Sequence, residues 1–221
     1  MILKSGWSPH GFQEYREHYP QTPWEGVPRL DWTQRFLSHW DNDSEAPWPD
    51  GTPIVLTPGL FAEWLPGCFA EVARAARQSG HRVLRSSVRT SRGVEEQATA
   101  LKTEIAEWLG PRDNFVWLAH SKGVLDALWC LREHESVRAR CTGLVAVQPP
   151  SGISWVLESW ATDPKTLADR TMARLMDLRI FRAGCQEITG RRGPALTSWI
   201  ETFSPPVPML QAASWSVLPT S

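Results

Sequence analysis

Between residues 53 and 148, short apolar runs alternate with segments of helical apolar spacing, and this alternation constrains the fold more than any other feature of the chain. The runs are rich in Ile, Val and Leu, which is typical of strands buried on both faces of a parallel sheet. The order predicts an α/β fold with a mostly parallel open sheet flanked by helices and with right-handed crossovers. The predicted strands are Pro53–Thr57, His81–Val88, Phe115–Ala119 and Gly143–Gln148, and the predicted helices are Pro66–Ser79, Val94–Trp108 and Lys122–Glu133.

The composition is that of an ordinary globular protein. The 221 residues fit one domain, 42% of them are hydrophobic, and the formal net charge of −1 gives no strong attraction to nucleic acid or to an anionic membrane. No stretch approaches the roughly 18 apolar residues of a membrane span, and the first residues lack the apolar core of a signal peptide. We therefore expect a cytoplasmic protein with no nucleic-acid partner and no membrane span.

The four cysteines show neither a CxxC pattern nor a spacing paired with histidines. No metal or other cofactor is therefore expected. In a cytoplasmic protein such cysteines should be reduced, buried thiols. They are Cys68, Cys130, Cys141 and Cys185.

The residue composition and the hydrophobic pattern of the chain change at residue 53. Residues 1–52 are rich in Trp, Pro and charge and show no clear strand, so we interpret them as an irregular N-terminal arm. Residues 53–221 are the predicted α/β domain, in which residues from about 151 to 205 break the rhythm and predict a helical cap over the carboxyl end of the sheet. The elements predicted after residue 150 are a helix capped by Asp163-Pro164, a helix from about Ala195 to Phe203, and a strand, Val207–Ala212.

A five-residue run, Ala119-His120-Ser121-Lys122-Gly123, joins the third predicted strand to the helix that follows it. A G-x-S-x-G pattern in a strand–turn–helix setting holds its serine on a sharp turn, exposed at the carboxyl end of the strands. Here the first glycine of that pattern is replaced by Ala119. Ser121 is the candidate nucleophile, and the alternative is a serine that merely caps a helix N-terminus.

Backbone N–H groups near this turn could stabilise an oxyanion. The first is the N–H of Lys122, which directly follows the candidate nucleophile. The second should come from the loop after the first strand, Pro58-Gly59-Leu60-Phe61, where we choose the N–H of Leu60, with Phe61 as the alternative. A small residue such as Gly59 lets a substrate approach that backbone. The alternative is a simple turn at the end of a strand.

A serine nucleophile needs a base, and the sequence offers no obvious one because no histidine follows His134. His81 begins a strand at the end opposite the expected site, and His134 lies near a helix C-terminus, so both are interpreted as structural. His120 adjoins the nucleophile and is interpreted as packing. The histidines of the arm, one of which could fold over the site, are His10, His18 and His39.

Lys122 is not expected to act as the base, because adjacent residues on a tight turn point apart; its side chain should be solvated or paired with a carboxylate. The acid partner is equally open. Asp163 and Glu158 follow the fourth strand but fit caps or surface groups better. Asp126 lies one turn into the nucleophile helix and should cap it or face solvent.

The run around Ser121 resembles the nucleophile turn of the α/β-hydrolase superfamily, in particular of bacterial lipase- and esterase-like members. The resemblance extends from about Pro53 to Ala212 and includes Thr57–Phe61 as the oxyanion loop and Val145–Pro150 as the strand leading into the cap. It implies hydrolysis of a carboxylic ester through an acyl-enzyme, with an aspartate after Val207–Ala212 and a histidine in a later loop.

Three functions compete. The first is a serine hydrolase that acts on a small-molecule ester, with the base supplied unconventionally. The second is a catalytically inactive α/β-hydrolase-like protein that binds an apolar ligand or a partner chain. The third is a C-terminally incomplete hydrolase, whose exposed sheet edge would favour self-association. Loss of the triad histidine alone lowers rates by about 10⁴–10⁶ in known serine hydrolases, so the base decides between the first two.

Overall fold

The described residues form a sheet of five parallel strands in the order β2-β1-β3-β4-β5. β3 lies at the centre, where it pairs with β1 through Thr57 opposite Ala119 and with β4 through His120 opposite Val147. The parallel sheet and its flanking helices confirm the predicted fold class. The strands are β1 Ile54–Thr57, β2 Val83–Arg85, β3 Phe115–His120, β4 Cys141–Val147 and β5 Met209–Ala212.

This computed structural model describes residues 51–64, 67–150, 163–189 and 207–212, all of them within one unit, Trp48–Ala213. Residues 1–50 of the N-terminal arm, Glu158 and the predicted helix from Ala195 to Phe203 therefore lie outside the described residues. The division of the chain at residue 52 and the bounds of the cap remain predictions. Among the described residues, no helix combines the length and the hydropathy that crossing a bilayer requires.

Helices cover both faces of the sheet. On one face α1 packs its Ala73 against Ile54 and Leu56 of β1. On the other face α2 and α3 pack against Val55 and the central residues of β3. A 3-10 turn, Ala62–Trp64, follows β1. The helices are α1 Ala70–Gln78, α2 Val94–Trp108, α3 Lys122–Glu133, α4 Glu135–Arg138, α5 Leu167–Met176 and α6 Arg182–Ile188.

The core is built around β3. Phe115, Trp117 and Ala119 alternate along this strand and are fully buried against α2 and α3. Burial of each large apolar side chain stabilises a fold by about 1.5–3 kcal/mol. The indole Nε1–H of Trp117 donates to Thr57 Oγ1 at 2.8 Å, which satisfies two buried polar groups and joins β3 to β1. The central strand is therefore a rigid support for the turn that follows it.

Several predicted boundaries need correction. α1 begins at Ala70 rather than Pro66, because Phe69 before it adopts a left-handed backbone with φ 60°. The second strand is shorter than predicted and ends at Arg85. α5 is not capped by Asp163: Thr166 accepts from the N–H of Asp169, and the Asp169 carboxylate accepts from the N–H of Thr166. α6 was not predicted.

Candidate active site

Ser121 occupies a sharp turn between β3 and α3. Its φ is 52° and its ψ −130°, a backbone conformation that residues with a Cβ rarely adopt. Such strain costs on the order of 1–3 kcal/mol and persists only where the surroundings impose it. The Ser121 N–H donates to the Val147 carbonyl of β4 at 2.9 Å, and its own carbonyl accepts from the N–H of Val124 at 2.9 Å. Ser121 occupies the N-cap position of α3, but its hydroxyl makes no capping hydrogen bond to that helix.

Two glycines let the loop after β1 approach this turn. A Cβ added to Gly59 would lie 2.8 Å from Ser121 Cβ, and one added to Gly123 would lie 2.4 Å from the Pro58 carbonyl oxygen and 2.7 Å from that of Thr57. Real Cβ atoms do not approach other atoms so closely, so both positions need glycine for the observed packing. The side of Ser121 that bears its Cβ therefore faces the loop that carries Leu60.

The two predicted oxyanion donors belong to these two segments. Lys122 is the first residue of α3, and the N–H groups of a helix's first turn have no partner within the helix. Leu60 lies in the turn after β1, which is closed by the Ala62 N–H donating to the Gly59 carbonyl at 3.2 Å. The Ala62 N–H also lies 3.3 Å from Thr90 Oγ1, which ties this turn to the segment before α2.

The Lys122 side chain is buried and forms an ion pair with Asp126. Lys122 Nζ donates to Asp126 Oδ1 at 2.7 Å, and both side chains are 0% exposed. The prediction of a carboxylate partner for Lys122 is therefore confirmed, and the alternative of a solvated ammonium is wrong. The prediction that Asp126 caps the helix or faces solvent is also wrong, because α3 is buried on nearly all sides.

The surroundings of Asp126 disfavour the charged form of its carboxyl group. Burial raises the pKa of Asp126 to about 7, against the opposing effect of the Lys122 ammonium. The carboxylates of Glu187 and Glu63 add to the rise because they repel a negative charge on Asp126. Asp126 Oδ2 is buried without a hydrogen-bond partner among the described residues. The carboxyl is therefore poised to gain or lose a proton near neutral pH.

Three histidines lie among the described residues. His81 is buried before β2, with Nδ1 3.1 Å from the carbonyl oxygen of Thr52, which fits the predicted structural role. His134 follows the C-terminal end of α3, as predicted. His120 Nε2 lies 3.1 Å from Gln148 Oε1. Since His10, His18 and His39 lie outside the described residues, the idea that one of them serves as the base stays a prediction.

Two glutamates clamp the segment before α2, and sequence reasoning missed both. Glu63 in the 3-10 turn accepts hydrogen bonds from Thr90 Oγ1 and, at 3.1 Å, from the N–H of Ser91. Burial acts to raise the pKa of Glu63, but these hydrogen bonds outweigh it and hold that pKa below its ordinary value. Glu187 of α6 accepts from the N–H of Val94 at 2.6 Å, at the start of α2.

Apolar contacts connect α6 to the loop after β1. The rings of Phe61 and Phe181 meet edge to face with centroids 5.0 Å apart. Leu60 packs on one side against Met176, Phe181 and Cys185, and it also contacts the cluster of Val94, Leu125 and Ile188. The backbone that carries the Leu60 N–H is therefore held between apolar side chains of α5, α6 and α3.

Two of the cysteines, Cys130 and Cys141, are unsuited to act as nucleophiles. Burial raises the pKa of the Cys130 thiol and of the Cys141 thiol to about 12 in each case. A thiol that stays protonated is a poor nucleophile. All four cysteines are free, and Cys68 is half-buried rather than buried.

A cleft of about 390 Å³ lies beside the start of α2. Its lining does not include Ser121. Three glutamates line it, together with small residues of α2 and α6, and no sequence pattern pointed to it. Its lining residues are Gly93, Glu95, Glu96, Thr99, Ala183 and Glu187.

A serine on a strained strand-to-helix turn, at the carboxyl end of the central strand of a parallel sheet, is the arrangement that defines α/β-hydrolase-like proteins. Solved structures agree with this fold assignment. The chain superposes on a metagenomic carboxyl esterase with a TM-score of 0.59 and 20% identity, over 76% of this chain and 51% of the esterase. It superposes on the mature Bacillus licheniformis lipase with a TM-score of 0.55 and 12% identity, over 76% of this chain and 67% of the lipase.

These likenesses show the fold: an α/β-hydrolase fold like that of carboxylesterases and lipases. The chain spans about half the length of the esterase. No protein-family model matches the sequence, and no curated protein matches it either.

Proposed function

We propose that the protein is a serine hydrolase that cleaves carboxylic esters through an acyl-enzyme on Ser121. The observation that carries this proposal is the backbone of Ser121, which is strained to φ 52° at the end of the central strand and faces a glycine of the neighbouring loop. A strained conformation of this kind is retained where the surrounding structure imposes it, and it clusters at active sites. The esterase and lipase structures that share the fold support the same reaction class.

The proposed reaction has two steps. Ser121 Oγ attacks the ester carbonyl carbon and loses its proton to a general base, and collapse of the tetrahedral intermediate breaks the bond to the alcohol oxygen, which leaves with a proton. Water then attacks the acyl-serine and releases the carboxylic acid. The N–H groups of Lys122 and Leu60 would donate to the oxyanion in both steps, and such donors contribute about 10²–10³ each to the rate.

The substrate class follows from the environment of Leu60. Phe61, Phe181 and Ile188 place apolar side chains around the loop that would hold the carbonyl oxygen. An apolar wall at this point favours a small ester with a hydrocarbon acyl group over a charged one. We therefore propose a small-molecule acyl ester as the substrate.

A fluorophosphonate probe tests the proposal, because it reacts with activated serines. Labelling of the wild type, with the adduct mapped to the peptide containing Ser121, is the expected result. The Ser121→Ala variant should fold with the same circular dichroism spectrum and take up no probe.

A matched control is Ser87→Ala, which removes an exposed hydroxyl that donates to Glu104 Oε1 at 2.8 Å outside the site. It should label like the wild type. Two results would refute the proposal. One is a folded wild-type protein that takes up no probe, and the other is equal labelling of the wild type and of Ser121→Ala.

A further inference from the structure

The residue proposed to supply the oxyanion amide also bears a fully buried ammonium group. Lys122 Nζ donates to Asp126 Oδ1 at 2.7 Å, one turn further along α3, and neither side chain is exposed. Asp126 Oδ2 has no hydrogen-bond partner among the described residues. The pair therefore lies directly beneath the turn at Ser121, with one oxygen left unsatisfied.

Such a pair is a poor source of stability. Removing two charges from water is unfavourable, and replacing a buried ion pair by apolar groups of similar size is often neutral or stabilising. Because Asp126 Oδ2 is buried without a hydrogen-bond partner among the described residues, burial of the pair costs the folded state still more free energy. A role other than stability is therefore the better explanation for the pair.

The geometry of the turn indicates that role. Three successive residues are each held by a different contact. Ser121, with φ 52°, donates to the Val147 carbonyl of β4, Lys122 forms the ion pair, and Gly123 packs against the Pro58 carbonyl. A salt bridge between positions i and i+4 closes the first helical turn on itself. At this helix that turn contains the Lys122 N–H.

We propose that the buried Lys122–Asp126 ion pair is a positioning device that holds the first turn of α3, so that the Lys122 N–H stays aimed at the oxyanion and the strained turn of Ser121 is maintained. Lys122 and Asp126 act in this proposal through the backbone and do not touch the substrate. The inference rests on the proposed function, because it assigns a purpose to the oxyanion donor.

The charges around the pair make its effect dependent on pH. Glu63 of the 3-10 turn and Glu187 of α6 act on Asp126 from outside α3, and the thiol of Cys130 lies near it on α3 itself. When Asp126 gains a proton, its attraction to Lys122 weakens, and the ion pair no longer holds the first turn of α3. The proposed device should therefore hold the turn above neutral pH and loosen below it.

The first test compares labelling by a fluorophosphonate probe in the wild type and in the double variant Lys122→Met/Asp126→Asn. Methionine and asparagine are close in volume to lysine and aspartate, so the double variant removes both charges without overpacking the core and should stay folded. We expect its rate constant at saturating probe to fall at least about tenfold, as for loss of alignment of one oxyanion donor, while the half-saturating probe concentration stays unchanged. A matched control is Arg92→Gln/Glu96→Gln, which removes an exposed i, i+4 ion pair between the segment before α2 and the first turn of α2 and should label like the wild type.

A pH series separates positioning from mere folding. The ratio of the wild-type labelling rate to that of the double variant should grow between pH 5.5 and pH 8.5, because only the wild type gains a closed pair on ionisation of Asp126. The ratio cancels the titration of any base that both proteins share. A ratio that is constant across this range, or equal labelling rates at all pH values, would overturn the proposal.

Amide hydrogen exchange tests the device without using activity. Peptides that cover residues 119–126 should exchange at least about tenfold faster in the double variant at pH 8, while peptides from α2 and β4 stay unchanged. Unchanged exchange at residues 119–126 overturns the positioning role even if the proposed function holds. Absence of labelling in the wild type overturns the proposed function instead, and exchange still decides whether the pair holds the turn.

Discussion

Ser121 has two properties that are rarely found together in a serine without a functional role. Its backbone adopts φ 52°, and it lies at the junction of the central strand and a buried helix. The strain is imposed from both sides, by the hydrogen bond to Val147 and by the close packing of Gly59 and Gly123 against the turn. The residue therefore resembles a functional position more than a structural one.

The strain at Ser121 can be measured by comparing two variants. Ser121→Ala keeps a Cβ in the unfavourable conformation, whereas Ser121→Gly has none. We expect Ser121→Gly to be more stable than Ser121→Ala by about 1 kcal/mol, since relief of a positive φ exceeds the entropy that glycine loses on folding. Urea unfolding of both variants provides the comparison, and a glycine variant less stable than the alanine variant would contradict the strained conformation.

Gly123 offers a second test at this scale. Its added methyl group would collide with two backbone carbonyl oxygens at 2.4 and 2.7 Å, and backbone cannot swing aside as a side chain can. Gly123→Ala should cost about 1–3 kcal/mol of unfolding free energy, as overpacking does, and should reduce probe labelling by displacing the loop that carries Leu60.

The matched control is Gly143→Ala in β4, where the added methyl group would lie 3.6 Å from the Pro208 carbonyl oxygen, an ordinary contact. It should fold and label like the wild type. If Gly123→Ala were as well tolerated as Gly143→Ala, the close packing of the turn would be wrong.

At the scale of elements, α3 packs against the sheet and carries residues of the proposed active site. Its first turn carries the proposed oxyanion donor, and its second carries Asp126, whose neighbours Glu63 and Glu187 belong to the 3-10 turn and to α6. Glu63 in turn accepts a hydrogen bond from Ser91 before α2, and Glu187 accepts one from Val94, the first residue of α2. The loop after β1, the start of α2 and α6 are thus coupled electrostatically to the nucleophile helix.

This coupling predicts a particular dependence of stability on pH. The pKa of Asp126 rises from 3.8 to about 7 on folding, so the folded protein binds the proton more tightly than the unfolded chain. The resulting stabilisation is complete below pH 3.8 and is lost as the pH rises through about 7. Relative to Asp126→Asn, the wild type should lose unfolding free energy between pH 4 and 7, by on the order of 1 kcal/mol per pH unit.

Urea unfolding of the wild type and of Asp126→Asn at several pH values measures this difference, in which the titration of other groups cancels. The difference should level off above neutral pH. A difference that does not change with pH would show that Asp126 ionises in the folded protein as it does in the unfolded chain.

The elements that could be predicted from sequence are those with a clear period. α2 and α3 begin and end where their apolar spacing predicts, at Val94–Trp108 and Lys122–Glu133. α6 is not visible in the sequence, because seven residues hold too few apolar positions to show a period. The start of α1 differs from the predicted one because the left-handed backbone of Phe69 sets the boundary, whereas proline commonly occupies the first turn of a helix.

Of the candidate site, the sequence predicts the strand–turn–helix backbone around Ser121, since main-chain geometry follows from local pattern. The roles of Ser121, Lys122 and Leu60 remain proposals. The burial of the Lys122–Asp126 pair did not follow, because lysine and aspartate at i and i+4 are ordinarily a solvated pair. One signal was available: apolar residues surround Asp126 on every side of the helix, and a helix that is apolar all round is a buried one.

At the scale of the whole molecule, the described residues form a parallel sheet of five strands with helices on both faces and a serine at the central turn, and the proposed ester hydrolysis rests on this arrangement. The fold is shared with carboxylesterase and lipase structures at 20% identity or less. The central claim is that Ser121 becomes acylated.

The most direct measurement is intact-mass spectrometry of the wild type shortly after mixing with p-nitrophenyl butyrate. We predict a mass increase of one butyryl group, located on the peptide containing Ser121, that persists while p-nitrophenol is released at its steady rate and disappears once the substrate is consumed. The Ser121→Ala variant should show no such species. Release of p-nitrophenol by the wild type without acylation of Ser121, or an acyl group found on another residue, would contradict the account.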